Sequence, residues 1–200
     1  MRKFLLLIVA LAATAGAARA QSPAPRQKFT AADVKFMTGM IGHHAQAIEM
    51  ATMAPKNGAS PTLLTLAGRI MNAQRDEIRL MQQWLRERNQ EVPDPFHKDE
   101  HEDMAGMHHH HDMMPGMLSE EQMKELAASR GEDFDKLFLR YMIQHHQGAV
   151  AMVKELFSSR GAALDDTVFK LASDVNVDQM TEIARMQRML VELLFGKDDQ

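Results

Sequence analysis

Two adjacent histidines framed by methionines occur twice in this chain. Met40, His43, His44 and Met50 form the first set, and Met142, His145, His146 and Met152 the second, 102 residues later. Over 33–51 against 135–153 the identities are Asp33, Phe36, Met40, Ile41, His43, His44, Ala47 and Met50. Self-similarity at a fixed offset sets the architecture before any other feature does. Imidazole and thioether are both metal donors. Thioether is soft and selects Cu(I), whereas imidazole also suits Cu(II), zinc and nickel. A structural zinc site more often contains Cys, and the chain has none. Copper fits this donor mix best, with Ag(I) as a chemical mimic of Cu(I), and zinc or nickel remain open.

Helical geometry places these donors together. At about 100° per residue, Phe36, Met40, His43, Ala47 and Met50 fall in one stripe, with Met37, Ile41, His44, Ile48 and Ala51 beside it. Phe138, Met142, His145, His146 and Met152 repeat the arrangement. A second pattern, Gln74, Glu77, Ile78, Met81 and Leu85, returns as Gln179, Glu182, Ile183, Met186 and Leu190 at an offset of 105. It sets Glu77 and Glu182 on apolar helix faces. An unpaired carboxylate there costs several kcal/mol or has to protonate, and a facing imidazole or a cation relieves it. The expected bundle ligands are Met40, His43, His44, Met50, Glu77, Met81, Met142, His145, His146, Met152, Glu182 and Met186. No residue is marked out for catalysis, and no organic cofactor is implied.

A third concentration of donors lies between the repeats. His97, His101, Met104, Met107, His108, His109, His110, His111, Met113, Met114 and Met117 make a tract whose composition reads as a secondary metal-binding segment. All ten histidines lie either in this tract or in the two repeated pairs. Other polar or soft residues have plainer readings. Gln74 and Gln179 are expected to hydrogen-bond between helices, and Asp33 and Asp135 to favour helix starts through the dipole. Met37, Met71, Met123, Met180 and Met189 read as core filler, and Arg75, Arg79, Arg86 and Arg88 as a solvated face.

The elements that must position these groups are helices. Thr30 with Asp33, and Ser119 with Gln122, are capping boxes, and Phe29 with Val34 is a hydrophobic staple. Helix one ends before Pro55, with Asn57-Gly58 as its turn. Ser60-Pro61 opens helix two, which runs to about Asn89. A short helix follows Ser119, helix three extends to about Arg160-Gly161, and helix four covers about 165–195. Short turns make each long pair an antiparallel hairpin. The expected class is all-α: a ferritin-like four-helix bundle made of hairpins 30–89 and 119–196, forming one domain, joined by the linker 90–118.

Residues 1–20 read as a Sec-type signal peptide, with Arg2-Lys3, an apolar run and Ala18-Arg19-Ala20 before the cut. A polar lead, 21–29, follows. The processed chain of about 180 residues suffices for one core. It carries 20 basic and 27 acidic residues, a net charge of −7, which argues against nucleic acid or an anionic membrane as partner. The expected location is periplasmic or secreted, without membrane insertion after cleavage.

The motif Asp-x-x-Phe-x-x-x-Met-Ile-x-His-His-x-x-Ala with a later Met, met at Asp33–Met50 and at Asp135–Met152, resembles the DUF305 family of small exported bacterial proteins. Gln74–Leu85 matches that family's second helix, and Gln179–Leu190 does so less fully, with Met189 in place of the Trp84-type residue. The resemblance covers nearly all of residues 30–195. It implies a ferritin-like bundle and, through the family's CopM-like periplasmic copper-binding members, copper binding for tolerance or hand-over. A copper exporter or another periplasmic copper protein would be the partner. Two other readings stand beside it: a ferritin-like oxidase of Cu(I) or Fe(II), and a bundle in which His–Glu contacts are purely structural. The oxidase reading lacks the Glu-x-x-His pair of di-iron bundles, since no Glu here has a His three residues later.

Overall fold

The computed structural model describes residues 29–94 and 114–196. The segment 1–20 read as a signal peptide, nearly all of the lead and residues 95–113 of the linker lie outside the described residues. Within them are five helices, α1 (Ala31–Met53), α2 (Pro61–Glu87), α3 (Glu120–Ala128), α4 (Gly131–Ser158) and α5 (Asp166–Phe195). The boundaries follow the local chemistry. Thr30 and Asp33 exchange the two hydrogen bonds of a capping box, as do Ser119 and Gln122. Ser60 caps α2, with Pro61 in its first turn.

The chain is all-α, and its four long helices form a four-helix bundle. α1 packs on α2 and α4 on α5, while α1 and α4 meet in the centre. The two hairpins are tied at both ends by reciprocal contacts. Asp33 at the start of α1 accepts the backbone N–H of Ala163 in the second hairpin's turn, at 2.7 Å. Asp135 near the start of α4 accepts the N–H of Ser60 in the first hairpin's turn, at 3.2 Å. These aspartates therefore do more than answer the helix dipole; each one pins the opposite hairpin. Ala163 sits at φ +55, a left-handed conformation that costs a non-glycine residue energy and that the Asp33 carboxylate holds in place.

Asn57 fastens α3. Its side-chain amide donates to the carbonyls of Leu126, Ala127 and Ser129, and its own carbonyl accepts from Gly131 N–H. Arg88 corrects the expectation of a solvated arginine face. It lies over the Trp84 ring, 4.3 Å from the centroid, and bonds to Asp165 at the start of α5. Met180 likewise departs from the core-filler reading, being exposed on α5.

The core is split in two. One cluster contains Met40, Met81 and Met152 and the other Met50, Met142 and Met186, each drawing on both hairpins. By the sequence offsets these triplets are equivalents, so the repeat is carried into the packing. The four histidines fall between the clusters along both α1 and α4.

Candidate metal centre

His43, His44, His145 and His146 are all fully buried. Their placement follows from antiparallel packing of α1 on α4, with the histidines at mid-length of each. His43 and His145 stack across the seam, ring centroids 3.8 Å apart and planes tilted by 39°. His44 and His146 turn outward to the partner helices. His44 Nε2 lies 2.6 Å from Glu77 Oε2, and His146 Nε2 lies 2.7 Å from Glu182 Oε2. The predicted pairing of each imidazole pair with a carboxylate is thus formed in both hairpins.

A carboxylate only accepts, so Nε2 of both outer rings carries the hydrogen. Nδ1 of each is then buried without a partner. His43 Nε2 donates to the Pro115 carbonyl at 3.0 Å, which again leaves Nδ1 bare, and neither nitrogen of His145 has a partner. Burial pushes the His43 imidazole down to about 3, with His44 adding to the effect against the raising influence of Pro115. Burial, then the neighbouring His43, holds His145 well below the usual histidine range. Burial also lowers His146, against the pull of Glu182. The His146–Glu182 contact is therefore a hydrogen bond from a neutral ring at pH 7 rather than an ion pair.

Leaving a buried polar atom unpaired costs about 1–3 kcal/mol, and here five imidazole nitrogens are in that state within one cluster. Neutral, desolvated imidazole with its far N–H held by a carboxylate is the form in which histidine ligates metals. The residues present therefore fit a borderline or soft cation. Among the described residues, no three His, Asp or Glu side chains converge as a ready-made cage. The close His43–His145 contact bears on that: with centroids 3.8 Å apart there is no room for an ion between the rings, so loading requires them to turn.

The remaining sequence-derived residues fall as follows. Glu77 and Glu182 sit at the edge of the cluster, their side chains 14% and 21% exposed, rather than deep in the apolar faces. Met40, Met50, Met81, Met142 and Met186 are buried in the two flanking clusters, and Met152 is nearly so. Of the linker donors, His97, His101, Met104, Met107, His108, His109, His110, His111 and Met113 lie outside the described residues. Met114 and Met117 are half-buried where the linker meets the bundle. Gln74 corrects an expectation: both atoms of its buried amide lack a hydrogen-bond partner, as does Gln179 Oε1. Sequence reasoning missed Asp178. Burial raises its carboxyl first, and the negative charges of Glu77 and Glu182 add to the rise. Its four-residue spacing from Glu182 was the available signal.

The chain resembles several solved structures. A DUF305 fragment from Deinococcus radiodurans matches at 32% identity and TM-score 0.67, covering 82% of this chain and 98% of that one. A DUF305 protein of Streptomyces coelicolor, described as secreted, matches at 26% identity and TM-score 0.67, covering 81% and 92%. CopM in its Cu(II)-bound form matches at 33% identity and TM-score 0.60, covering 79% and 95%; CopM has also been solved with Cu(I) and with silver. No curated protein matches the chain. The model of the domain of unknown function DUF305 matches residues 33–190, and the chain belongs to that family.

Proposed function

We propose that this is an exported protein that binds copper, chiefly as Cu(I), for tolerance or hand-over to another copper protein. The observation that carries the reading is the cluster of bare imidazole nitrogens between α1 and α4, backed by Glu77 and Glu182. His43, His44, His145 and His146 would supply the ligands. The carboxylates would orient the outer rings, and Met40, Met50 and Met142 would offer thioethers one or two turns away. Silver and Cu(II) fit the same donors, consistent with the ions in the CopM structures. Among the described residues no helix is long and apolar enough to cross a membrane. An exported location rests on the N-terminal segment's composition and on the secreted relative.

Cu(I) arrives here as cargo, and no residue is assigned to turnover. Competition between the apo-protein and a Cu(I) chelator tests the reading. Binding tighter than micromolar that collapses when both histidine pairs become Ala supports it. Weak binding, or binding indifferent to those substitutions, rejects it. Oxygen uptake above background on adding Cu(I) or Fe(II) would turn the assignment towards an oxidase.

A further inference from the structure

The repeats differ where residues 114–118 cross α1 and α4. Beneath that crossing lie Gly39, Gly42 and Gly148, whose counterparts in the other repeat are Tyr141, Gln144 and Gln46. Glycine inside a helix costs roughly 0.5–1 kcal/mol relative to Ala, so three under one crossing need a cause. The cause is space. A Cβ on Gly148 would stand 1.8 Å from the Pro115 carbonyl oxygen. One on Gly39 would stand 3.1 Å from Met114 Sδ and 3.4 Å from the Met152 methyl, and one on Gly42 would lie 3.5 Å from the Met114 methyl. Gly116 takes φ +78 to complete the turn.

This strap is fastened on both sides of the seam. Gln46 clasps Leu118 through two hydrogen bonds, its amide donating to the carbonyl and accepting from the N–H. His43 donates to Pro115. Met114 is thereby held over Gly39 beside Met152. The two thioethers wall a cavity of 620 Å³ together with Phe36, Leu156 and Pro115, with the exposed Lys35–Glu155 pair also lining it.

We propose that Met114 and Met152 form a second, all-thioether site for a soft monovalent cation, Cu(I) or Ag(I), separate from the imidazole cluster. The proposal rests on the copper reading for the identity of the cation. Thioethers carry neither proton nor charge, and as soft donors they discriminate against zinc and nickel. Met114 belongs to the His/Met tract of the sequence, and its neighbour Pro115 accepts a hydrogen bond from His43. The site is thus linked to the imidazole cluster through the Pro115–His43 hydrogen bond.

The test uses the full chain labelled with 13C-methyl methionine and titrated with Ag(I). The Met114 and Met152 methyl signals are expected to shift together. Met114→Leu, which nearly preserves volume, should abolish the Met152 shift while the imidazole signals still respond. Met152→Leu should do the same to Met114. A Met152 response that survives in Met114→Leu, or imidazole shifts with both methyls unmoved, overturns the proposal. Methyl shifts with silent imidazoles would uphold the thioether site and instead reject the four-histidine centre.

Discussion

The two outer histidines and the two inner ones are held in opposite ways. His44 and His146 occupy equivalent positions, and each donates to an equivalent glutamate at 2.6 and 2.7 Å. His43 and His145 are equivalent by sequence, yet only His43 has a hydrogen-bond partner, the carbonyl of Pro115. The symmetric pair is fixed by the duplicated hairpin itself. The asymmetry is set by the strap, which the repeat does not duplicate and which packs on Gly148 of α4. Duplication thus sets up two similar half-sites, and the strap distinguishes them.

Removing the inner pair should have the largest effect. His43→Ala with His145→Ala takes away three of the five bare nitrogens and is expected to weaken Cu(I) binding by at least about 100-fold, above the usual loss for an orienting residue. Chelator competition measures it. Glu77→Gln and Glu182→Gln should each cost about 10- to 100-fold in affinity, and by similar amounts if the outer pairs are equivalent. A large inequality between them would break the symmetry argued here.

Gly148→Ala acts on the strap. Relief of a 1.8 Å contact requires the Pro115 segment to lift, at about 1–3 kcal/mol of stability, read by chemical denaturation. His43 should then lose its fixed tautomer and come to resemble His145 in 15N spectra of the ring. The corresponding change at Gln46, to Ala, removes both bonds to Leu118 without a clash and should loosen the strap less.

Protonation gives a graded effect rather than a step. The folded His43, His145 and His146 are lowered, whereas the unfolded chain takes up protons near 6.5. Stability from these groups is therefore fully present above pH 6.5. It declines as pH falls towards about 3 for His43, because the unfolded state binds protons that the folded state refuses. Denaturation midpoints measured from pH 7.5 to 4 should fall steadily, and a flat profile would contradict the neutral, buried assignment.

The helical period made much of this legible in advance. His43, His44 and their counterparts fall on inward stripes because 3.6-residue spacing is a local property, and Glu77 and Glu182 followed from the same arithmetic. What periodicity cannot reveal is a partner from a segment without periodicity. The Pro115 carbonyl reaches His43 across 72 residues, and Asp33 reaches Ala163 across 130. Arg88 looked solvated because Asp165, on the other hairpin, is brought to it only by packing, although Trp84 is its neighbour one turn back on α2. Gln74 looked like an interhelical hydrogen-bond former, yet its buried amide is left unpaired.

A structure of the copper-loaded protein with anomalous scattering at the copper edge tests the central claim most directly. The account predicts a peak between α1 and α4, within bonding distance of imidazole nitrogens from both histidine pairs, with the His43–His145 stack opened. A protein that binds copper yet shows no peak between those helices, with the two rings still stacked, would contradict it.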